Sequence, residues 1–222
     1  MPGYEVRITS LRIGDFDFQI RALLDNLQFS DPQGLAERAG ISSAAWPIFG
    51  VLWPSGAVLA EAASQLPILG RRILEVGCGL GLSSLVLRRR GADITATDRH
   101  PLAGEFLDRN ARLNGLSPIP FKQAQWAGPN PGLGSFDLII GADVLYEADH
   151  VELLAGFFAE HAKPCAEILI ADPGRGYGNA LNRAMQAQGY LCSQQRSAFA
   201  SGERAPFRGR LLRYTRAAKP AP

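Results

Sequence analysis

The chain has 222 residues, 46% of them hydrophobic and 20% charged, with a formal net charge of +2. That is the composition of an ordinary globular domain with a sizeable core, and the near balance of charge gives no general reason to expect nucleic acid or an anionic membrane as partner. No uncharged apolar run approaches the roughly 20 residues of a membrane span, the opening MPGYEVRITS lacks a secretory-signal pattern, and Cys78, Cys165 and Cys192 are an odd set without metal-type spacing, so a cytoplasmic protein with reduced thiols is the expectation.

Residues 1–50 read as an appendage. VRITSLRIGDFDFQIRAL alternates apolar and polar side chains around Gly14 and Asp15, the pattern of a β-hairpin. SDPQGLAERAGISSAAWPIFG is turn-rich and predicts loop with one short helix. From 51 to 222 the pattern is that of one larger domain. PSGAVLAEAASQL predicts an amphipathic helix with Pro54 in its first turn. RRILEV is a buried strand, LSSLVLRRRG a helix stopped at Gly91, and DITATD a second strand. PLAGEFLDRNARLNG is a helix opened by Pro101 and ended at Gly115. PIPFKQAQW and FDLIIGADV are strands, DHVELLAGFFAEHA a helix, AEILIAD a strand and NALNRAMQAQG a helix. LCSQQRSAF and RGRLLRYTR predict a closing antiparallel pair, and AAKPAP a frayed tail. Alternating helices and two-sided apolar strands predict an α/β fold: a Rossmann-like, seven-stranded, mostly parallel sheet with helices on both faces.

The stretch EVGCGLG, residues 75–81, follows a strand and opens a helix, where backbone can approach a ligand closely. A nicotinamide fingerprint needs glycine at 82, which is Leu82, and no Lys-Ser/Thr follows to make a Walker loop. Glu75, two residues before Gly77, would repel a pyrophosphate but can hold the cationic amino group of a methionine moiety. Asp98 ends the next strand, where a carboxylate can accept both ribose hydroxyls. With Gly77, Gly79 and Gly81 forming the turn, this combination favours S-adenosylmethionine.

VLWPSGAVLA, ILEVGCGLGL, ITATDRHPLAGEFLDRNARLNG, FDLIIGADVLYEADH and the pair Gln125–Trp126 together resemble the class I seven-stranded methyltransferases, and within them the protein-lysine methyltransferases of methyltransferase family 16. The resemblance implies a cofactor pocket lined by Trp53, Gly77, Cys78, Gly79, Asp98, Trp126 and Ala142, beside Glu75, Gly81 and Gln125, with Cys78 acting through its backbone. It implies S-adenosylmethionine as cofactor and lysine of a protein as substrate; a small-molecule amine or heteroaromatic nitrogen is the alternative, and a scaffold that keeps the cofactor only structurally the non-enzyme reading. DPGR at 172–175 resembles the branch that modifies the β-subunit of electron transfer flavoprotein, whereas GADVLY is closer to the branch acting on chaperones.

Asp143 and Tyr146 follow the fourth strand of the alternation, at the carboxyl end where ligands of parallel sheets bind. A lysine amine at its ordinary pKa must lose a proton at neutral pH, a cost of about 4 kcal/mol. A lone carboxylate would raise that pKa further, so Asp143 is assigned to orienting the amine and receiving its proton, with Tyr146 positioning the amine and narrowing the channel. Arg88, Arg89 and Arg90 read as a solvated helix end, and the arginines of RGRLLRYTR as charge protecting an edge strand. Cys165 reads as a core cysteine ahead of the fifth strand, and His100, His150 and His161 as no metal site.

Overall fold

The computed structural model describes residues 3–128, 132–196 and 207–216. Its main sheet holds β3 (Arg72–Val76), β4 (Asp93–Asp98), β5 (Phe121–Gln123), β6 (Phe136–Ala142), β7 (Ala162–Asp172), β8 (Leu191–Arg196) and β9 (Arg210–Thr215) in the order β5-β4-β3-β6-β7-β9-β8. The first five are parallel and β9 runs antiparallel to both neighbours. The central strands are apolar on consecutive positions because both faces are covered. Ile73, Leu138, Ile140 and Leu169 face one cluster, while Leu74, Ile139, Ile168 and Ile170 face the other. The first cluster includes α2 (Pro54–Ala63), α3 (Leu82–Arg89) and α4 (Ala103–Leu113); the second includes α5 (His150–His161) and α6 (Gly178–Ala187).

The expected hairpin is present as β1 (Val6–Ile13) and β2 (Phe16–Leu23), turning at Gly14. Its apolar side, with Ile13, Phe18 and Ile20 buried, joins the first cluster. Two carboxamides, Asn110 on α4 and Asn114 at its C-cap, hold the second edge of the hairpin. Asn110 accepts the Arg21 N–H at 2.8 Å and donates to the Arg21 carbonyl at 3.2 Å; Asn114 treats Gln19 the same way, at 2.9 and 2.8 Å. Helix residues four apart rise about 6 Å and strand residues two apart about 6.8 Å, so one helical stripe of asparagines can imitate a neighbouring strand. After the hairpin come α1 (Leu35–Arg38) and a 3₁₀ turn at Trp46–Gly50.

Several expectations are corrected. β9 is not an edge strand: it pairs with β7 and β8, its arginines reach across strands (Arg213 to Glu167, Arg210 to Gln194), and the polar β8 forms the edge. Pro164 and Cys165 lie inside β7, not before it, where the register against β6 slips between Phe136 and Leu138; that irregularity leaves Cys165 exposed, not in the core. The third predicted strand shrinks to Phe121–Gln123, which puts Gln125 and Trp126 in the loop beyond it. Arg88, Arg89 and Arg90 do not simply face solvent. Each bonds a carbonyl of a neighbouring segment, on Pro118, Asn114 and Ala63 respectively. The predicted AAKPAP tail and the last three residues of LCSQQRSAF lie outside the described residues.

Asn110 is fully buried and also donates to the Leu80 carbonyl at 3.1 Å, so it ties hairpin to glycine turn. Asn110→Ala strands three backbone groups at once and is expected to cost about 2–4 kcal/mol of unfolding free energy. Urea titration checks this; a loss below about 1 kcal/mol would mean that water replaces the carboxamide.

Candidate functional site

The turn after β3 is built by its glycines. Gly77, Gly79 and Gly81 have φ of 60°, 52° and 77°, a left-handed conformation that side-chain-bearing residues rarely adopt. A Cβ on Gly79 would stand 2.7 Å from the Phe49 carbonyl oxygen, and one on Gly81 would overlap the Leu107 side chain. The turn is locked to β4 by Cys78 N–H donating to the Thr97 carbonyl at 2.9 Å and Gly79 N–H donating to Asp98 Oδ2 at 2.8 Å. Asp98 Oδ1 accepts from His100 N–H at 2.8 Å, so each carboxylate oxygen takes one backbone bond.

Glu75 is 4% exposed and points at the start of α3, where its Oε2 accepts the Ser84 N–H at 2.9 Å and the Ser84 hydroxyl. Burial pushes its carboxyl up to about 7, against the pull of the serine bonds, and nearby Asp98 adds to the rise. Asp98 is also raised, chiefly by burial. Burial drives the Cys78 thiol well above its ordinary value, so it is an inert thiol whose backbone N–H is already used by Thr97.

These groups open onto a cavity of about 470 Å³ at the carboxyl ends of β3, β4 and β6, where the strand order reverses. Every residue expected in the site lines it except Gly81, whose part is close packing of α3 on α4. Trp53 begins α2 and donates its indole N–H to the Ile48 carbonyl at 2.8 Å, which fixes the ring as one wall. Trp126 is a second wall, and Gln125 donates to the Ala39 carbonyl at 3.2 Å, tying the loop after β5 to the appendage. The residues that close this side are Ile41, Ala45, Phe49 and Leu52; the hairpin itself packs on α4.

Across the cavity, Asp143 continues β6 with its N–H on the Ala171 carbonyl at 2.9 Å, then takes φ of 54°, the one positive φ outside glycine among the described residues. That twist carries its carboxylate to Arg175, which donates from Nε to Oδ1 at 2.7 Å and from Nη2 to Oδ2 at 2.8 Å. Tyr146 is half-buried, and its phenol is pushed up chiefly by burial. The ring of His150 stands edge-on to both Tyr146 and Trp126, with centroids 4.3 and 5.0 Å away. The expectation of no metal ligands among the histidines overlooked that Glu147, Asp149 and His150 bring ligand atoms within 4.8 Å of one another at the rim, a grouping that alone assigns no ion. Arg175, His150, Phe49 and Ser84 were missed as site residues. For Arg175 a signal existed, because DPGR stood out as a motif; the others announce themselves only through packing.

Residues 42–180 match the protein family described as lysine methyltransferase. The chain belongs to that family. It is 34% identical over 146 residues to the electron transfer flavoprotein beta subunit lysine methyltransferase of Mus musculus, covering 63% of this chain and 55% of that protein. It is 35% identical over 105 residues to the protein N-lysine methyltransferase METTL21A of Danio rerio, covering 43% and 47%. The chain spans about half the length of the curated relatives it matches. Among solved structures, the 16S rRNA N2 G1207 methyltransferase of T. thermophilus superposes with a TM-score of 0.61 at 19% identity, covering 96% of this chain and 51% of that one, a likeness of fold.

In this member of the lysine methyltransferase family, Glu75 is expected to make the fold pH-sensitive. A carboxyl raised from 4.5 to about 7 stabilises the folded chain fully below pH 4.5, and that contribution is lost as pH rises through about 7. The displacement corresponds to a contribution on the order of 3 kcal/mol. Chemical denaturation of the ligand-free protein from about pH 5 to 8 should therefore show a decline that Glu75→Gln flattens. An unchanged slope in the variant would mean that Glu75 is ionised in the folded chain throughout.

Proposed function

We propose that the chain is an S-adenosylmethionine-dependent methyltransferase that N-methylates a lysine side chain of a protein. The observation that carries the reading is the juxtaposition, in one cavity, of the buried Glu75–Asp98 pair with Asp143 and Tyr146, in a chain of the lysine methyltransferase family. The residues fit the cofactor. Glu75 is a buried carboxyl in want of a cation, which the methionine ammonium offers. Each oxygen of Asp98 keeps a lone pair for a ribose hydroxyl. A Cβ on Gly77 would stand 3.0 Å from Val144, so the bare turn leaves backbone open toward the cavity. Trp53 and Trp126 provide aromatic walls for a base.

Bound there, S-adenosylmethionine supplies an electrophilic methyl group on a cationic sulfur. The chain's own residues then have three tasks. Glu75, Asp98 and the glycine turn hold the cofactor on the β3–β4 side. Tyr146, backed by His150, narrows the approach and directs a lysine nitrogen, and the apolar surfaces of Phe49, Leu52 and Trp126 exclude water. Asp143 orients the nitrogen and stands within reach of its departing proton. In-line placement supplies much of the remaining acceleration. The activity that names the Mus musculus relative and the DPGR motif support the β-subunit of electron transfer flavoprotein as the first substrate to try. No helix among the described residues is long and apolar enough to cross a membrane. Cys78, Cys165 and Cys192 are unpaired, which supports a reducing compartment such as the cytoplasm. The small net charge gives no general footprint for nucleic acid.

The test is incubation with methyl-labelled S-adenosylmethionine and either that β-subunit or a lysate from cells lacking the chain, followed by mass spectrometry. Label on lysine Nε of a protein is expected; label confined to small molecules would move the assignment to an amine metabolite. Cofactor binding should release a proton, since a cation beside Glu75 favours its carboxylate. Affinity should rise with pH up to about 7, by as much as about tenfold per unit. Calorimetry in buffers of different ionisation enthalpy reads this directly, and zero proton release would remove Glu75 from the cation site. Asp143→Asn should bind the cofactor within a few-fold yet lose about two orders of magnitude in transfer; Tyr146→Phe should lose less. Near-wild-type transfer by Asp143→Asn would make Asp143 structural.

A further inference from the structure

Asp143 is set up in a way that orienting an amine does not require. Both of its oxygens are already taken by Arg175 in a two-pronged ion pair, at 2.7 and 2.8 Å. The Asp143 side chain is 10% exposed and that of Arg175 44%, so the guanidinium lies over the carboxylate as a cover. Both line the cavity, and Asp143 holds the pair from a left-handed backbone with φ of 54°, a conformation that is unfavourable for a residue with a side chain. A loop pin needs no such expenditure. The pair makes sense chemically once the target is an amine that must lose a proton. An unmatched carboxylate beside a lysine nitrogen stabilises the ammonium form, which cannot attack a methyl group. A carboxylate matched by a guanidinium keeps its acceptor directions but loses most of that pull.

We propose that Arg175 is a positioning residue for methyl transfer, which neutralises Asp143 so that the carboxylate aligns the lysine nitrogen without holding it as an ammonium ion. This rests on the lysine reading above. The surroundings strengthen it. Charged and titratable groups lining the same cavity include Glu75 of β3, Asp98 at the end of β4 with Arg99 after it, Glu147 and Asp149 after β6, His150 at the start of α5 and the phenol of Tyr146; Asp172 at the end of β7 acts on Arg175, and Arg210 of β9 on Asp172. Without the Arg175 charge, the described cavity lining keeps the carboxyl groups of Glu75, Asp98, Asp143, Glu147 and Asp149 against the single guanidinium of Arg99. The excess of acid would favour an ammonium still more.

The test uses Arg175→Gln, which keeps hydrogen-bond donors and removes the charge, and Arg175→Lys, which keeps the charge. In the first arm, n-butylammonium is titrated into each protein with S-adenosylhomocysteine bound. Arg175→Gln is expected to bind this probe at least about fivefold more tightly than the unmutated chain, and Arg175→Lys to stay close to it. In the second arm, transfer to the labelled protein substrate is followed against pH. Arg175→Gln should lose about tenfold in kcat at pH 7, recover it about one pH unit higher, and show an unchanged or lower KM; Arg175→Lys should restore much of the neutral-pH rate. An equal loss of kcat at every pH, or a probe affinity that does not rise, overturns the role of Arg175 and leaves the lysine reading standing. If the unmutated chain labels no protein lysine at all, the lysine reading falls and this proposal with it.

Discussion

Glu75 and Asp98 are 4% and 8% exposed, and two acids buried side by side are tolerated only where backbone donors and neighbouring dipoles compensate them. Much of the fold around the cavity answers that demand. Asp98 is matched by two N–H groups, one from the glycine turn and one from the chain after β4. Glu75 is matched by the first turn of α3, where the unsatisfied amides and helix dipole favour negative charge. The compensation is incomplete, since burial still outweighs it for both groups. A site left short of positive charge in this way has a standing affinity for a cationic ligand.

That arrangement explains why an N-terminal hairpin contacting none of the site's reactive groups still bears on it. The glycine turn that bonds Asp98 is packed closely on both sides, by Phe49 on Gly79 and by Leu107 of α4 on Gly81. α4 is in turn held to the hairpin by Asn110 and Asn114, and Asn110 closes the circuit by bonding Leu80 within the turn. His100 stacks on Phe49 with ring centroids 3.7 Å apart, and burial lowers its pKa to about 3, so it remains a neutral packing surface. Hairpin, α4 and turn therefore form one mechanical unit with the floor of the cavity.

Much of this was legible in the sequence because the signals are local. A strand running into G-x-G-x-G and a helix, an acid two residues ahead, and an acid ending the next strand are all read within thirty residues of chain. The alternation of apolar strands and helices led to the seven-stranded sheet for the same reason. What was missed depends on partners far apart in sequence. The Asp143–Arg175 pair spans 32 positions. His150 looked like one of three scattered histidines until α5 set it between Trp126 and Tyr146. The charged pattern of β9 suggested an edge because alternation reports which face is wet, not which neighbours a strand has. Cys165 reads as core when placed ahead of the fifth strand, whereas it lies within β7 at a slipped register and is exposed.

The cavity divides its work between two groups of strand ends. β3 and β4 carry the acids that suit the cationic and hydroxylated parts of a cofactor. β6 and the chain after β7 carry Asp143, Tyr146 and Arg175, which suit an incoming nucleophile. The reversal of strand order puts these two sets on opposite sides of one opening. The chemical demands on them are opposite as well. On the first side an under-compensated carboxylate is useful, because the ligand brings permanent positive charge. On the second side the same carboxylate would be harmful under the proposed lysine reading, in which the amine has to arrive as the neutral base. The structure meets these demands with one difference: Glu75 and Asp98 are matched by neutral amides and hydroxyls, whereas Asp143 is matched by a full cation. Under the proposed function, swapping the two kinds of partner would hinder cofactor binding on one side and methyl transfer on the other.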